Sequence, residues 1–231
     1  MNLPIVIAID GTSASGKSTN ARRVAQALGY VYVDTGAMYR TLAWYCLREG
    51  VDILNARAVA GACRRWKTEL KCVEGEFRSA RLLVDGYFPE KEIRTAQTSA
   101  AVPHVAAVPK VREWMKKTQR ACLQFGSLVM EGRDIGTNVF PETDYKFYLD
   151  ASLHERTQRR AADGVQENLA ARDQRDSQRA AAPLMIPLGA MIIDNSGETP
   201  EQTSGRIISE IRRRLDEREK VALAKQQKRR W

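Results

Sequence analysis

Histidine and cysteine are scarce. The chain has two histidines, His104 and His154, and four cysteines, Cys46, Cys63, Cys72 and Cys122, in 231 residues. They form no CxxC pair and no zinc-type spacing, which argues against a metal centre built from imidazole or thiolate. Cysteines so few and so irregularly placed read as reduced thiols, and a cytoplasmic location is expected. Long apolar runs are missing too. None approaches the roughly 18 residues of a membrane span, so no membrane partner is expected. The opening MNLPIVIAID lacks the basic start and small-residue cleavage site of a secretion signal and reads as a strand. Aromatic residues are only 7% of the chain, and no aromatic-studded basic stripe of the kind that binds single-stranded nucleic acid is present.

Positive charge is in excess, but unevenly. Of the formal net charge of +9, residues 206–231 carry +6 and the other 205 residues only +3. The excess is therefore a C-terminal tail and not a basic groove. A solvated helix is the plainer reading of that tail, and weak attraction to RNA or a membrane surface the lesser one. Nucleic acid is not an expected partner, and a monomer is the working expectation.

With 43% hydrophobic residues, the chain can bury one sizeable core carrying one or two small insertions. Short runs rich in β-branched or aromatic residues predict buried strands at 4–10, 30–34, 127–131, 145–149 and 190–194. Helical stretches at 17–28, 36–49, 109–125, 152–162 and from 199 into the tail separate them. This alternation predicts an α/β fold, a parallel sheet flanked by helices. Two stretches break it. LKCVEGEFRSARLLVDGYFPEKEI offers three strand-like pieces split by Glu74-Gly75 and Asp85-Gly86, and reads as a small antiparallel insertion. Residues 155–180 are helical in propensity, arginine-rich and polar nearly all round, so they bridge solvent or move onto something charged.

Between the first strand and the first helix stands GTSASGKST, residues 11–19. It fits G-x-x-x-x-G-K-[ST] through Gly11, Gly16, Lys17 and Ser18 in the strand-to-helix context the motif needs. The loop Gly11, Thr12, Ser13, Ala14, Ser15, Gly16, Lys17, Ser18, Thr19 reads as a phosphate cradle, a P-loop, with its N–H groups turned inward. Lys17 is expected to reach the β and γ phosphates of ATP. The Ser18 hydroxyl is expected beside a magnesium ion, with Asp10 and Asp34 as candidates to hold that ion through water. A cradle alone names no reaction, since switches, helicases, transporters and small-molecule kinases share it.

A kinase acting on a nucleoside monophosphate must hold a second phosphate at the cradle, which calls for several arginines. DTGAMYR places Thr35 and Arg40 after the second strand; EGRDIGT places Arg133 and Asp134 after the third; the arginine-rich segment offers Arg172, Asp176 and Arg179. Ligands in open α/β sheets bind beyond the carboxyl ends of the strands, so these pieces can share one cleft. An internal Arg133–Asp134 ion pair, a solvated 155–180 helix and a surface Arg40 remain equally open on spacing alone.

IAIDGTSASGKST, DTGAMYR, EIRT, VPKVRE, EGRDIGTNVFP, YLDAS and RDQRDSQRAAAPL, in this order, resemble the bacterial cytidylate kinase family, over about residues 5 to 197. The resemblance implies a P-loop NTPase-type sheet with an NMP-binding β insertion and a helical arginine-rich lid. It places the core at 1–50, 106–154 and 181–218, the insertion at 51–105 and the lid at 155–180. The basic tail at 219–231 lies outside it. It implies ATP plus CMP or dCMP giving ADP plus CDP or dCDP, with Mg2+. By matched position, Thr35, Arg40 and Arg133 face the acceptor phosphate, Arg112 and Asp134 the cytosine ring, and Arg172, Asp176 and Arg179 the sugar and phosphates. Lys17, Arg133, Arg172 and Arg179 are the candidate catalytic residues. The alternatives are a UMP-preferring or other small-molecule P-loop kinase, or a nucleotide-regulated RNA-associated protein. Three departures stand out. Pro103 replaces a serine that touches the base in many relatives, Glu131 replaces a common aspartate, and the Arg160–Arg172 stretch is shorter.

Overall fold

The computed structural model describes residues 3–162, 164, 168–179 and 181–228. Met1 and Asn2, residues 163, 165–167 and 180 of the expected lid, and 229–231 of the tail lie outside them.

Among the described residues, β1 (Val6–Gly11), β2 (Val31–Asp34), β3 (Thr68–Val73), β4 (Ser79–Val84), β5 (Leu128–Glu131), β6 (Tyr145–Asp150) and β7 (Met191–Asp194) form one sheet. Its order is β3-β4-β2-β5-β1-β6-β7, and only the β3–β4 pair is antiparallel. The five strands expected from apolar runs are all present. β1, β2, β5 and β6 are apolar on both faces because the sheet is covered twice, whereas the edge strand β7 leaves Ile192 exposed. Helices α2 (Thr35–Arg48), α3 (Ala56–Arg65), α4 (Ala96–Ala106) and α5 (Pro109–Ala121) cover one face, where Met38, Leu42, Val59, Val111 and Met115 meet Val6, Ala8 and Met130. On the other, α1 (Lys17–Leu28) and α8 (Pro200–Lys228) bring Val24, Ile207 and Ile211 against Ile7, Ile9, Phe147 and Leu149. None of the described helices is long and apolar enough to cross a membrane.

Three local expectations need correction. The insertion supplies two strands and not three. Asp85 (φ 51) and Gly86 (φ 77) make a turn so tight that the third piece shrinks to a single Val84–Tyr87 bridge. The hairpin also does not stand apart, since β4 runs parallel to β2 and extends the main sheet. Helices α3 and α4 were not expected. Asn55 caps α3 through two backbone N–H bonds, and Thr95 caps α4 by accepting from Thr98 N–H. The interior Pro103 of α4 hides its helical signal. The 155–180 segment divides into α6 (Leu153–Ala162) and α7 (Leu169–Ser177), and Leu169 is buried in a stretch expected to be polar nearly all round.

Because β1, β2, β5 and β6 run the same way, Gly11, Asp34, Glu131 and Asp150 close their strands along one rim. The segments that follow these residues build the site.

Candidate active site

The glycine loop is shaped from both sides. Gly11 sits at φ 149, where a Cβ would lie 1.9 Å from the Leu149 carbonyl oxygen of β6, so only glycine fits. The loop's polar groups are held from outside. Thr12 Oγ1 donates to Asp150 Oδ1 at 2.7 Å, and Asn195 Nδ2 donates to Ser15 O at 2.9 Å. Asn20 Nδ2 donates to Gly16 O at 2.9 Å. Asn195 is itself gripped by Arg159, whose guanidinium donates to its side-chain and backbone oxygens at 3.0 and 2.9 Å. With its carbonyls anchored outward, the loop turns amides inward and adds the positive end of α1.

Lys17 is buried at 5% exposure and folds back, donating to Thr12 O and, at 3.3 Å, to Ser15 Oγ. Burial, with Arg133 and Arg172 adding to it, pushes its pKa well below the ordinary lysine value; Glu131 and Asp10 oppose them. Glu131, at the end of β5, accepts from Tyr32 Oη at 2.5 Å, and Ser18 stands close enough to help lower its pKa. Burial foremost and the neighbouring Asp34 carboxylate raise its pKa. Ser18, Glu131 and Asp34 thus gather hard oxygen donors next to the cradle, a set that fits magnesium. Asp10 does not join them. Both its oxygens accept backbone N–H bonds, from Ile135 at 2.8 Å and Gly136 at 2.7 Å. It is a buried brace for the segment after β5.

That segment sends its two charged residues in different directions. Arg133 Nε donates to Asp176 Oδ2 at 3.0 Å, and Arg179 pairs with the other Asp176 oxygen. Burial acts against this carboxylate, but Arg133 and Arg179 together hold its pKa below the usual value. Asp134 turns instead to Arg112, whose Nη2 donates to it at 2.8 Å, and to Asn138 Nδ2 at 3.0 Å. Arg112 also donates to Ala106 O at 3.3 Å and lies over the Tyr39 ring. The internal Arg133–Asp134 pair that spacing left open is therefore not formed. Arg112 keeps one buried donor, Nε, without a partner.

The remaining expected residues lie on the same rim. Thr35 Oγ1 donates to Glu131 O at 2.7 Å. A Cβ on Gly36 would lie 3.0 Å from an Arg40 guanidinium nitrogen and 3.2 Å from Asp34 Oδ1, which places Arg40 over the first turn of α2. Arg172 stands close enough to Lys17 to lower its pKa. Thr19 and Pro103 are exposed, the latter on α4. Sequence reasoning missed Arg156, Arg159, Asp173, Asn195, Asp150 and Asn138. Arg156 and Asp173 pair at Ser13 of the loop, with Arg156 Nη1 donating to Ser13 O at 3.1 Å and Asp173 Oδ1 accepting from Ser13 N–H at 3.0 Å. The only advance signal was their spacing, since Arg156 and Arg159, like Asp173 and Asp176, lie one helical turn apart.

Comparison with known proteins bears on this site. The family model described as Cytidylate kinase matches residues 7–213. A cytidylate kinase of Anoxybacillus flavithermus is 40% identical over 94% of this chain and 100% of its own length. One from Caldanaerobacter subterraneus is 38% identical over 92% of this chain and 97% of its own. A bifunctional pantoate ligase/cytidylate kinase of Acaryochloris marina is 41% identical over 94% of this chain, which spans 43% of that longer protein.

Proposed function

The chain belongs to the cytidylate kinase family, and from that premise we infer that it transfers the γ-phosphoryl group of ATP to CMP and dCMP, giving ADP and CDP or dCDP. The observation that carries this reading is the convergence on one rim of a phosphate loop, an Arg133–Asp176–Arg179 cluster and a buried Arg112–Asp134 pair.

In this reading ATP lies on Gly11–Thr19 and the monophosphate lies between that loop, the β3–β4 hairpin side and α7. An oxygen of the acceptor phosphate attacks the γ phosphorus as the bond to the β–γ bridging oxygen breaks. The acceptor is already anionic, so no strong general base is required, and catalysis is positioning plus charge stabilisation. Lys17 swings from Thr12 O to the β and γ phosphates, and Arg40, Arg133, Arg172 and Arg179 neutralise the approaching groups. Ser18, Glu131 and Asp34 would hold magnesium, which would supply charge neutralisation on the phosphate oxygens. Asp134 accepts from the exocyclic amine of cytosine, a donor that uracil lacks, and Arg112 fixes the Asp134 carboxylate in place. Asp176 turns to the ribose. Residues 51–105 serve as the monophosphate-binding part and 155–180 as the lid; those of the segment outside the described residues belong to it by position alone. The four cysteines are free thiols, which supports a cytoplasmic setting, and a monomer suffices for every role assigned.

Assaying the purified chain with ATP and CMP, dCMP, UMP or AMP tests the reading. Turnover is expected to be fastest with CMP and dCMP, and a preference for AMP would overturn it.

A further inference from the structure

Helix α7 presents two carboxylates, Asp173 and Asp176, one turn apart. Asp176 occupies Arg133 and Arg179. Asp173 does the equivalent at the glycine loop, with Oδ1 on Ser13 N–H at 3.0 Å and Oδ2 on the buried Arg156 guanidinium. That guanidinium is fixed by the carbonyl oxygens of Ala151 at 2.9 Å and Ser13 at 3.1 Å. A loop amide together with an aligned guanidinium is a donor set that suits a phosphate as well as a carboxylate. Asp173 is thus an anion from the chain itself, bonded to an amide of the anion cradle.

We propose that Asp173 and the polyphosphate of the nucleotide compete for these donors. Nucleotide arrival on the loop and departure of Asp173 from Ser13 are one exchange, and this exchange frees the helix that carries Arg172, Asp176 and Arg179. The proposal rests on the reading that Gly11–Thr19 binds the phosphates of ATP. Its consequence is arithmetical: nucleotide affinity is lowered by the fraction of molecules in which Asp173 holds the loop.

Calorimetric titration of the full chain with magnesium-ATP, without CMP, tests this. Asp173→Ala, which removes both charge-assisted hydrogen bonds of the competing state, is expected to bind ATP at least about tenfold more tightly than wild type. Asp173→Asn, which keeps an acceptor oxygen but no charge, is expected to fall between them. Equal or weaker binding by folded variants overturns the competition while leaving the kinase reading intact. Absence of ATP binding by all three proteins overturns both. Should the variants unfold, amide hydrogen exchange on the wild-type chain decides. ATP alone is expected to lower protection over residues 169–177, and increased protection there overturns the proposal.

Discussion

At the scale of single residues, the site is governed by which carboxylates are neutralised and by what. Arg133 reaches Asp176 through Nε and Gly132 O at 3.4 Å through Nη1, so its planar fork already lies across the cleft. Losing a donor of transition-state charge costs about 2.7–4 kcal/mol. Arg133→Ala is therefore expected to lower turnover with saturating ATP and CMP by roughly a hundredfold or more; steady-state assays showing wild-type turnover would remove Arg133 from the chemistry. Asp10 illustrates the opposite case, a carboxylate whose burial outweighs the relief from two amides and from Lys17. Burial pushes its pKa from 3.8 up to about 6, against the lowering effect of the Gly136 and Ile135 amides. The folded state thus favours the protonated form. That stabilisation is complete below about pH 3.8 and is lost as pH rises through about 6, an effect on the order of 3 kcal/mol. Urea unfolding of wild type and Asp10→Asn between pH 3.5 and 7 measures it. The stability of wild type relative to the variant is expected to fall between pH 4 and 6 and level off above; a rise across that window contradicts the assignment.

At the scale of elements, one buried ion pair joins three of them. Arg112 on α5 bonds Ala106 O at the end of α4 and Asp134 at the start of the turn after β5. Its side chain is 6% exposed and that of Asp134 10%. Removing one partner of such a pair leaves an uncompensated charge and costs about 3–5 kcal/mol, whereas replacing both with apolar groups is often close to neutral. Arg112→Met is accordingly expected to lose about 3–5 kcal/mol in urea unfolding. Arg112→Met with Asp134→Leu should recover most of that stability but no cytidylate turnover. A double variant as unstable as the single one would show that packing, and not charge, sets the cost. The same elements show what could be read in advance. Four of the five expected strands were legible because they are buried on both faces, and the edge strand β7 because Ile192 and Ile193 keep its run apolar although Ile192 is exposed. The cradle was legible because its glycines are forced by geometry, as Gly11 against Leu149 O shows. Arg133 and Asp134 were legible as site residues, but not their partners. Asp176 lies 43 positions from Arg133 and Arg112 lies 22 from Asp134, and only the fold sets those pairings. Helix α4 was hidden by Pro103, and Asn195 and Arg156 by the fact that they hold the loop's carbonyls from behind, a role with no motif.

At the scale of the whole molecule, the question is whether the basic C-terminus belongs to the enzyme. The first part of α8 does. Ile207 and Ile211 are fully buried, Arg23 pairs with Glu201, and Arg214 donates to Asp144 O at 2.6 Å at the foot of β6. From Asp216 to Val221 every residue is exposed, and the family match ends at residue 213. The helix thus leaves the core within a turn of Leu215, and the charge that makes the chain basic lies largely beyond the elements that build the cleft. Exposed charges such as those of Arg218 and Lys220 are screened within about 8 Å at physiological ionic strength, too short a reach to steer events at a rim formed by the opposite ends of β1 and β6. Ending the chain after Glu219 is therefore expected to leave kcat and KM for ATP and CMP within about twofold of the full chain, and the unfolding midpoint nearly unchanged, since surface changes of this type fall within about 0.5 kcal/mol. Steady-state kinetics and thermal unfolding of the truncated chain measure both. Electrophoretic binding to a single-stranded RNA supplies the counterpart. If the tail were the purpose of the protein and nucleotide only its regulator, truncation would abolish RNA affinity while ATP binding persisted without CMP turnover.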